Sequence, residues 1–253
     1  MLLLPLMLGC ADIAKLQNLS TTVANPLVMV GAYIGIDPPG DPSLDMSNTE
    51  FSVTAAVTTI LANATSAADM SKSPVTGVSA TWSSPTNGQV DLSEGSQGDY
   101  EATSDNGIKY TDGEIVTISV DSDGAHSASV LSPPPAQFSI DPNHTTGVGV
   151  TVDLSGQDYD SAFVVVYDVL NGAITYDNRP KNIADIYNWT HGGGTTVVTI
   201  PGDAFGSESI YGLGVAGMKH SDPTEFSDTN TLLSTYACGK FEFYGVYTLP
   251  TGT

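Results

Sequence analysis

The chain of 253 residues fits one large all-β domain or two of ordinary size, and its 40% apolar content is enough for a proper core. Only 14% of residues are charged, and 28 acidic against 7 basic side chains leave a net charge of −21. The acidity is spread along the chain: residues before Pro133 carry 15 acids against Lys15, Lys72 and Lys109, and the rest carry 13 against Arg179, Lys181, Lys219 and Lys240. A uniformly negative field repels phosphate backbones and anionic lipid, which excludes nucleic acid as a partner. It suits solubility in a salty medium, or the binding of divalent cations.

In chain order, Leu2 to Leu8 comes first. A bilayer span needs about 20 apolar residues, so this run is too short to cross, but it has the length of an export-signal h-region. The segment Leu6-Met7-Leu8-Gly9-Cys10 resembles the lipobox of bacterial lipoproteins. Gly9 and Cys10 are as that motif requires, Met7 replaces the usual Leu, and Leu8 is larger than usual. No positive n-region precedes the run, which suggests a start a few codons upstream of Met1. The resemblance implies cleavage before Cys10 and acylation of Cys10. Ala11, where an Asp would favour the inner membrane, implies the outer membrane and hence a cell-envelope location. Residues 1–9 are thus expected to be a signal remnant and the polar stretch 10–26 a tether. The alternative is a buried first strand with Cys10 as a core thiol, or as half of a disulfide with Cys238. Cys238 itself, in "TYACGKFEF", reads as a lone buried thiol.

Strand signals start at "LVMVGAYIGI" (27–36) and continue with "FSVTAAVTTI" (51–60) and "VTGVSATW" (75–82). Five Asn-Gly or Asp-Gly pairs, at 87–88, 106–107, 112–113, 123–124 and 171–172, suit turns that need φ > 0. Between them lie "GDYEATS", "EIVTISV" (114–120) and "AHSASVL" (125–131). In "EIVTISV" the pleat puts Val116, Ile118 and Val120 on the core face. "SPPPAQ" (132–137) cannot continue a ladder and marks the expected domain boundary. Beyond it come "GVGVTVDL" (147–154), "SAFVVVYDVL" (161–170), "GAITYD" (172–177), "TTVVTIP" (195–201), "SIYGLGVAGM" (209–218), "NTLLSTYACG" (230–239) and "KFEFYGVYTL" (240–249). No amphipathic helix of 12 residues or more stands out. The expected fold is all-β: two Ig-like antiparallel β-sandwich domains in tandem, over 27–132 and 133–253. By strand pattern they resemble the Ig-like or fibronectin-III-like modules of bacterial surface lipoproteins, without the Cys…Trp…Cys spacing of antibody domains.

Four features bear on chemistry. His191-Gly192-Gly193-Gly194 resembles the oxyanion-hole loop of some lipases and esterases, but no Gly-x-Ser-x-Gly elbow accompanies it. Asp153, Asp158 and Asp160 offer hard oxygen ligands and form a Ca²⁺ candidate, outside EF-hand spacing. The four histidines, His126, His144, His191 and His220, lack partners at zinc-ligand spacing. The irregular stretch 177–194 holds the chain's single arginine. Asp177, Asn178, Arg179, Tyr187, Trp189 and His191 make up a candidate ligand-binding set, able to stack on a sugar ring and bond its hydroxyls. The same stretch also reads as a helical plug in which Ile183, Ile186, Tyr187 and Trp189 cap the sandwich. The expectation is a non-enzymatic lipoprotein with a structural, adhesive or protein-binding role and no cofactor. The alternatives are a carbohydrate-binding module, a Ca²⁺-stabilised adhesion module, or a hydrolase in which a nucleophile, a base and backbone donors converge.

Overall fold

The computed structural model describes residues 27–249 except 38, 40–43, 45–48, 50, 65–72, 97, 123, 182, 222–225 and 228–233, together with the side chains of 183, 184 and 187. The expected signal remnant, Cys10 and the tether lie outside the described residues. The protein is all-β. No helix among the described residues is long and apolar enough to cross a membrane.

The N-terminal half supplies β1 (Leu27–Ile36), β2 (Ala55–Asn63), β3 (Ser79–Ser84), β4 (Gly88–Asp91) and β5 (Ser93–Glu94). It continues with β6 (Asp99–Thr103), β7 (Ile115–Asp121) and β8 (Ala125–Leu131). These strands form two facing sheets. One runs β1-β2-β6-β5 and the other β8-β7-β3-β4. Alternation orients strands such as β3, β6 and β7, where every second residue is buried and the pleat turns those residues inward. Met29, Tyr33, Val57, Leu61, Tyr100, Trp82, Val116, Ile118 and Val130 meet in one buried core. The expected inward set Val116, Ile118 and Val120 is buried. Asn87-Gly88 joins β3 to β4 with Gly88 at φ 67°, and Asn106-Gly107 instead closes a 3-10 turn, Ser104–Asn106.

The C-terminal half supplies β9 (Asn143–Thr145), β10 (Val150–Asp153), β11 (Ser161–Asp168), β12 (Ala173–Asp177) and β13 (Val197–Ile200). After these come β14 (Ile210–His220), β15 (Phe226–Ser227) and β16 (Thr235–Leu249). Here the sheet β12-β11-β14-β16 faces the pair β10-β13 across a second core of Val152, Leu154, Val164, Val166, Ile200, Phe205, Tyr211, Leu213 and Val246. One short helix, α1 (Ile183–Asn188), follows β12.

One core is built chiefly from residues before the expected boundary at 132 and a second from residues after it, but the halves are not two independent sheets. The candidates at 230–239 and 240–249 merge into the single strand β16, whose N-terminal part pairs in parallel with β1, from Val30↔Thr235 to Ile36↔Phe241. The same strand pairs antiparallel with β14, from Ile210↔Tyr247 to His220↔Ala237. A nine-stranded sheet therefore runs through both halves. The C-terminal half gives Tyr236, Cys238 and, through β15 on the edge of β8, Phe226 to the first core. The proline stretch between the halves is held by two tyrosines. Tyr110 donates to the Pro133 carbonyl at 2.7 Å, and Tyr159 donates to the carbonyls of Pro134 and Pro135 at 3.1 and 3.0 Å.

The reverse face of the long sheet is apolar as well. Phe163, Val165, Ala216, Met218, Phe241 and Phe243 form a third cluster, onto which Phe51 and Trp189 pack. Phe51, expected within a strand, lies in the turn before β2 and covers this face.

Candidate functional site

The segment from Asp177 to Gly194 covers the reverse face beside β11 and β14, and here the structure gathers most of the candidate ligand-binding residues. Asp177 ends β12. Its carboxylate accepts from the Arg179 backbone N–H at 2.7 Å, from Nε at 3.0 Å and from Nη2 at 2.9 Å. The guanidinium also lies 5.4 Å from the centre of the Phe51 ring, so charge pairing and a cation–π contact fix it together. Asn178 acts as a piece of strand. Its Oδ1 accepts from Val164 N–H at 2.7 Å and its Nδ2 donates to the Ala162 carbonyl at 3.0 Å, continuing the ladder where β12 has ended.

α1 then brings Trp189 over β11. The indole stacks on Phe163 with ring centres 4.3 Å apart and planes 16° apart, and His220 lies 4.3 Å away at 55°. Thr190 donates from Oγ1 to the Ile186 carbonyl at 2.8 Å, and Gly192, at φ 105°, lets the chain turn back toward β13. The Tyr187 side chain lies outside the described residues, and His191 is exposed with Nδ1 3.1 Å from Thr190 Oγ1. Asp177, Asn178, Arg179, Asn188 and Trp189 line one concavity of about 360 Å³. On its other side Trp189 borders a second, with His220, Asp160 and Gly194.

His220 and Ser161 were not singled out by sequence reasoning. Ser161 Oγ lies 2.9 Å from His220 Nε2, and the Thr190 carbonyl bonds the same imidazole. Giving the ring N–H to that carbonyl leaves Nε2 to accept from the serine hydroxyl. Burial holds the imidazole at a pKa of about 4, against the opposing pull of Asp160. A neutral histidine bonded to a serine has the elements of an activated nucleophile. Ser161 is wholly buried, however, and Gly194 lies so close above it that a Cβ there would come within 2.9 Å of Ser161 Cβ. In this arrangement the imidazole, bonded to the Thr190 carbonyl, fastens the 189–194 turn to the sheet. Alternation along "SIYGLGVAGMKH", which puts His220 on the face of Ala216 and Met218, was the one available signal.

The Ca²⁺ candidate is not assembled. Lys219 Nζ sits 2.6 Å from Asp158 and 3.7 Å from Asp160, and Asp160 also accepts from the His220 backbone N–H at 2.8 Å. Asp153 turns to its own loop, where Ser155 N–H donates to it at 2.9 Å. Among the described residues no group of three or more His, Cys, Asp or Glu side chains is placed to hold a metal ion. Cys238 is a free buried thiol, 3.6 Å from the Tyr110 hydroxyl, and burial pushes its pKa far up.

A search against protein-family models and a search of curated proteins both find no match to the chain.

Proposed function

We propose that the protein is a non-enzymatic lipoprotein of the cell envelope, held to the outer membrane by an acylated Cys10, whose body is a tandem of Ig-like sandwiches with an adhesive or protein-binding role. The anchor rests on Leu6-Met7-Leu8-Gly9-Cys10. A lipidated cysteine binds membrane through about 0.8 kcal/mol per buried methylene, and several acyl chains together make firm attachment.

The observation that carries the Ig-like reading is strand order. Taking β1 to β8 as A, B, C, C′, D, E, F and G, the first half has A-B-E-D facing G-F-C-C′. In the second half β10 and β13 take the places of B and E, facing β12, β11, β14 and β16 as C′, C, F and G. Two side chains add support. Trp82 is buried on the C-like strand of the first half, against Tyr33 at 4.8 Å. Tyr211, at the start of the F-like strand of the second, donates its hydroxyl to the Ser207 carbonyl at 3.2 Å, as a tyrosine corner does.

The concavity beside Trp189 favours a second reading, a carbohydrate-binding module that meets sugar hydroxyls with Asn188, Asp177 and Arg179. Its weakness is that Phe163 already stacks on the indole.

Metabolic palmitate labelling of the wild type and of Cys10→Ala tests the anchor. The expected result is loss of both label and membrane association in the variant. Equal membrane association of the two would overturn it.

A further inference from the structure

The described asparagines fall into two groups by what their amides do. Asn87 donates to Ser84 Oγ and the Lys109 carbonyl, and Asn106 accepts from Thr103 N–H. Asn171 donates to Asp168, and Asn178 bridges Val164 and Ala162. None of these four begins an Asn-x-Ser/Thr triplet. Asn63, Asn143 and Asn188 do, in Asn63-Ala64-Thr65, Asn143-His144-Thr145 and Asn188-Trp189-Thr190, and all three are exposed with no side-chain hydrogen bond among the described residues. A fourth triplet, at Asn18, lies outside the described residues. The amides that can be spared for chemistry are therefore the ones whose sequence context an Asn-linked glycan requires.

Asn143 is the best presented. It opens β9, which among the described residues pairs with β16 alone, leaving an outer edge for a large substituent. Thr145, two residues on, is exposed and its hydroxyl has no partner among the described residues, whereas Thr190 gives its hydroxyl to the Ile186 carbonyl. A glycan at Asn143 or Asn63 would displace no apolar contact, because neither side chain belongs to a core.

We propose that Asn63, Asn143 and Asn188 are acceptors for N-linked glycans, with Asn143 the principal one. The donor is a polyprenyl-(pyro)phosphate-linked oligosaccharide, presented by a membrane oligosaccharyltransferase on the outer side of the membrane. The Asn143 Nδ2–C1 bond forms as the C1–O bond to the lipid (pyro)phosphate breaks. The lipid (pyro)phosphate leaves with the electron pair, and the proton lost from Nδ2 passes to it. The inference rests on the exported reading, because the transfer takes place only on translocated chain.

The test is glycopeptide mass spectrometry on the full chain recovered from the cells that make it, alongside protease accessibility of the same cells. The expected result is a saccharide mass on the peptide carrying Asn143 and none on those carrying Asn171 or Asn178. It should be lost in both Asn143→Gln and Thr145→Ala, neither of which disturbs a core contact. Unmodified Asn143 in protein that external protease reaches would overturn the inference while leaving export intact. Unmodified Asn143 in protein confined to the cytoplasm would overturn both.

Discussion

At the scale of single residues, Ser161 and His220 form a polar pair beside Trp189. His220 has a pH signature. Its folded pKa of about 4 lies below the ordinary 6.5, so between those values the unfolded chain binds the proton more readily. Its contribution is therefore complete above pH 6.5 and is lost as pH falls toward 4. A shift of that size corresponds to about 3 kcal/mol. Asp168 works in the same direction at lower pH. Burial alone would raise it, but bonds from Ser209 and Asn171 outweigh that and hold it low. Urea denaturation followed from pH 7 to pH 4 should show the wild type losing stability more steeply than His220→Gln, and parallel curves would refute this role. Little of it was legible in advance. Alternation tells which face His220 is on, but not that Ser161 lies across the sheet from it, because that depends on the register of β11 against β14.

Elements were easier to read where they were long. β1 and β11 begin where their apolar runs begin, and β7 turns inward the residues its alternation names. The strands that escaped notice, β4, β5, β9 and β15, have two to four residues and carry no period to detect. β16 joins two expected strands, 230–239 and 240–249, with Gly239 at their junction. In the sheet that glycine lies against Met218 and the Gly217 carbonyl, where no side chain would fit. Gly35 in β1 has a similar reason for being glycine, since a Cβ there would come within 2.4 Å of the Tyr110 ring. Gly35→Ala should therefore displace Tyr110 from its bond to Pro133 and cost about 1–3 kcal/mol by overpacking. In a Tyr110→Ala background most of that loss should disappear, as a double-mutant cycle by chemical denaturation can measure. Equal losses in both backgrounds would exclude Tyr110 as the cause.

For the whole molecule, the strand-rich halves were legible and the sheet that joins them was not. The first core draws chiefly on residues before Pro133, and the residues of the second run from Ala136 onward. Nothing local announces that β16 will pair with β1, some 200 residues earlier in the chain, because parallel pairing of distant strands leaves no turn signal. The consequence is a dependence of the first half on the second. A fragment of residues 27–132 lacks Phe226, Tyr236 and Cys238 and leaves β1 as an open edge. It should show no cooperative thermal transition, whereas the full chain unfolds with one. A fragment that melts as sharply as the full chain would mean the donated residues are dispensable.

The parallel ladder between β1 and β16 also sets how the molecule answers to traction. The start of β1 and the end of β16 lie at opposite ends of this ladder, so tension between those points pulls the two strands lengthwise past each other. Their bonds, from Val30↔Thr235 to Ile36↔Phe241, are then strained side by side and must yield together, unlike a hairpin, which opens one pair at a time. A body tethered at its N-terminal side and gripped at the other end would resist being drawn apart as a rope splice does, by holding along its length.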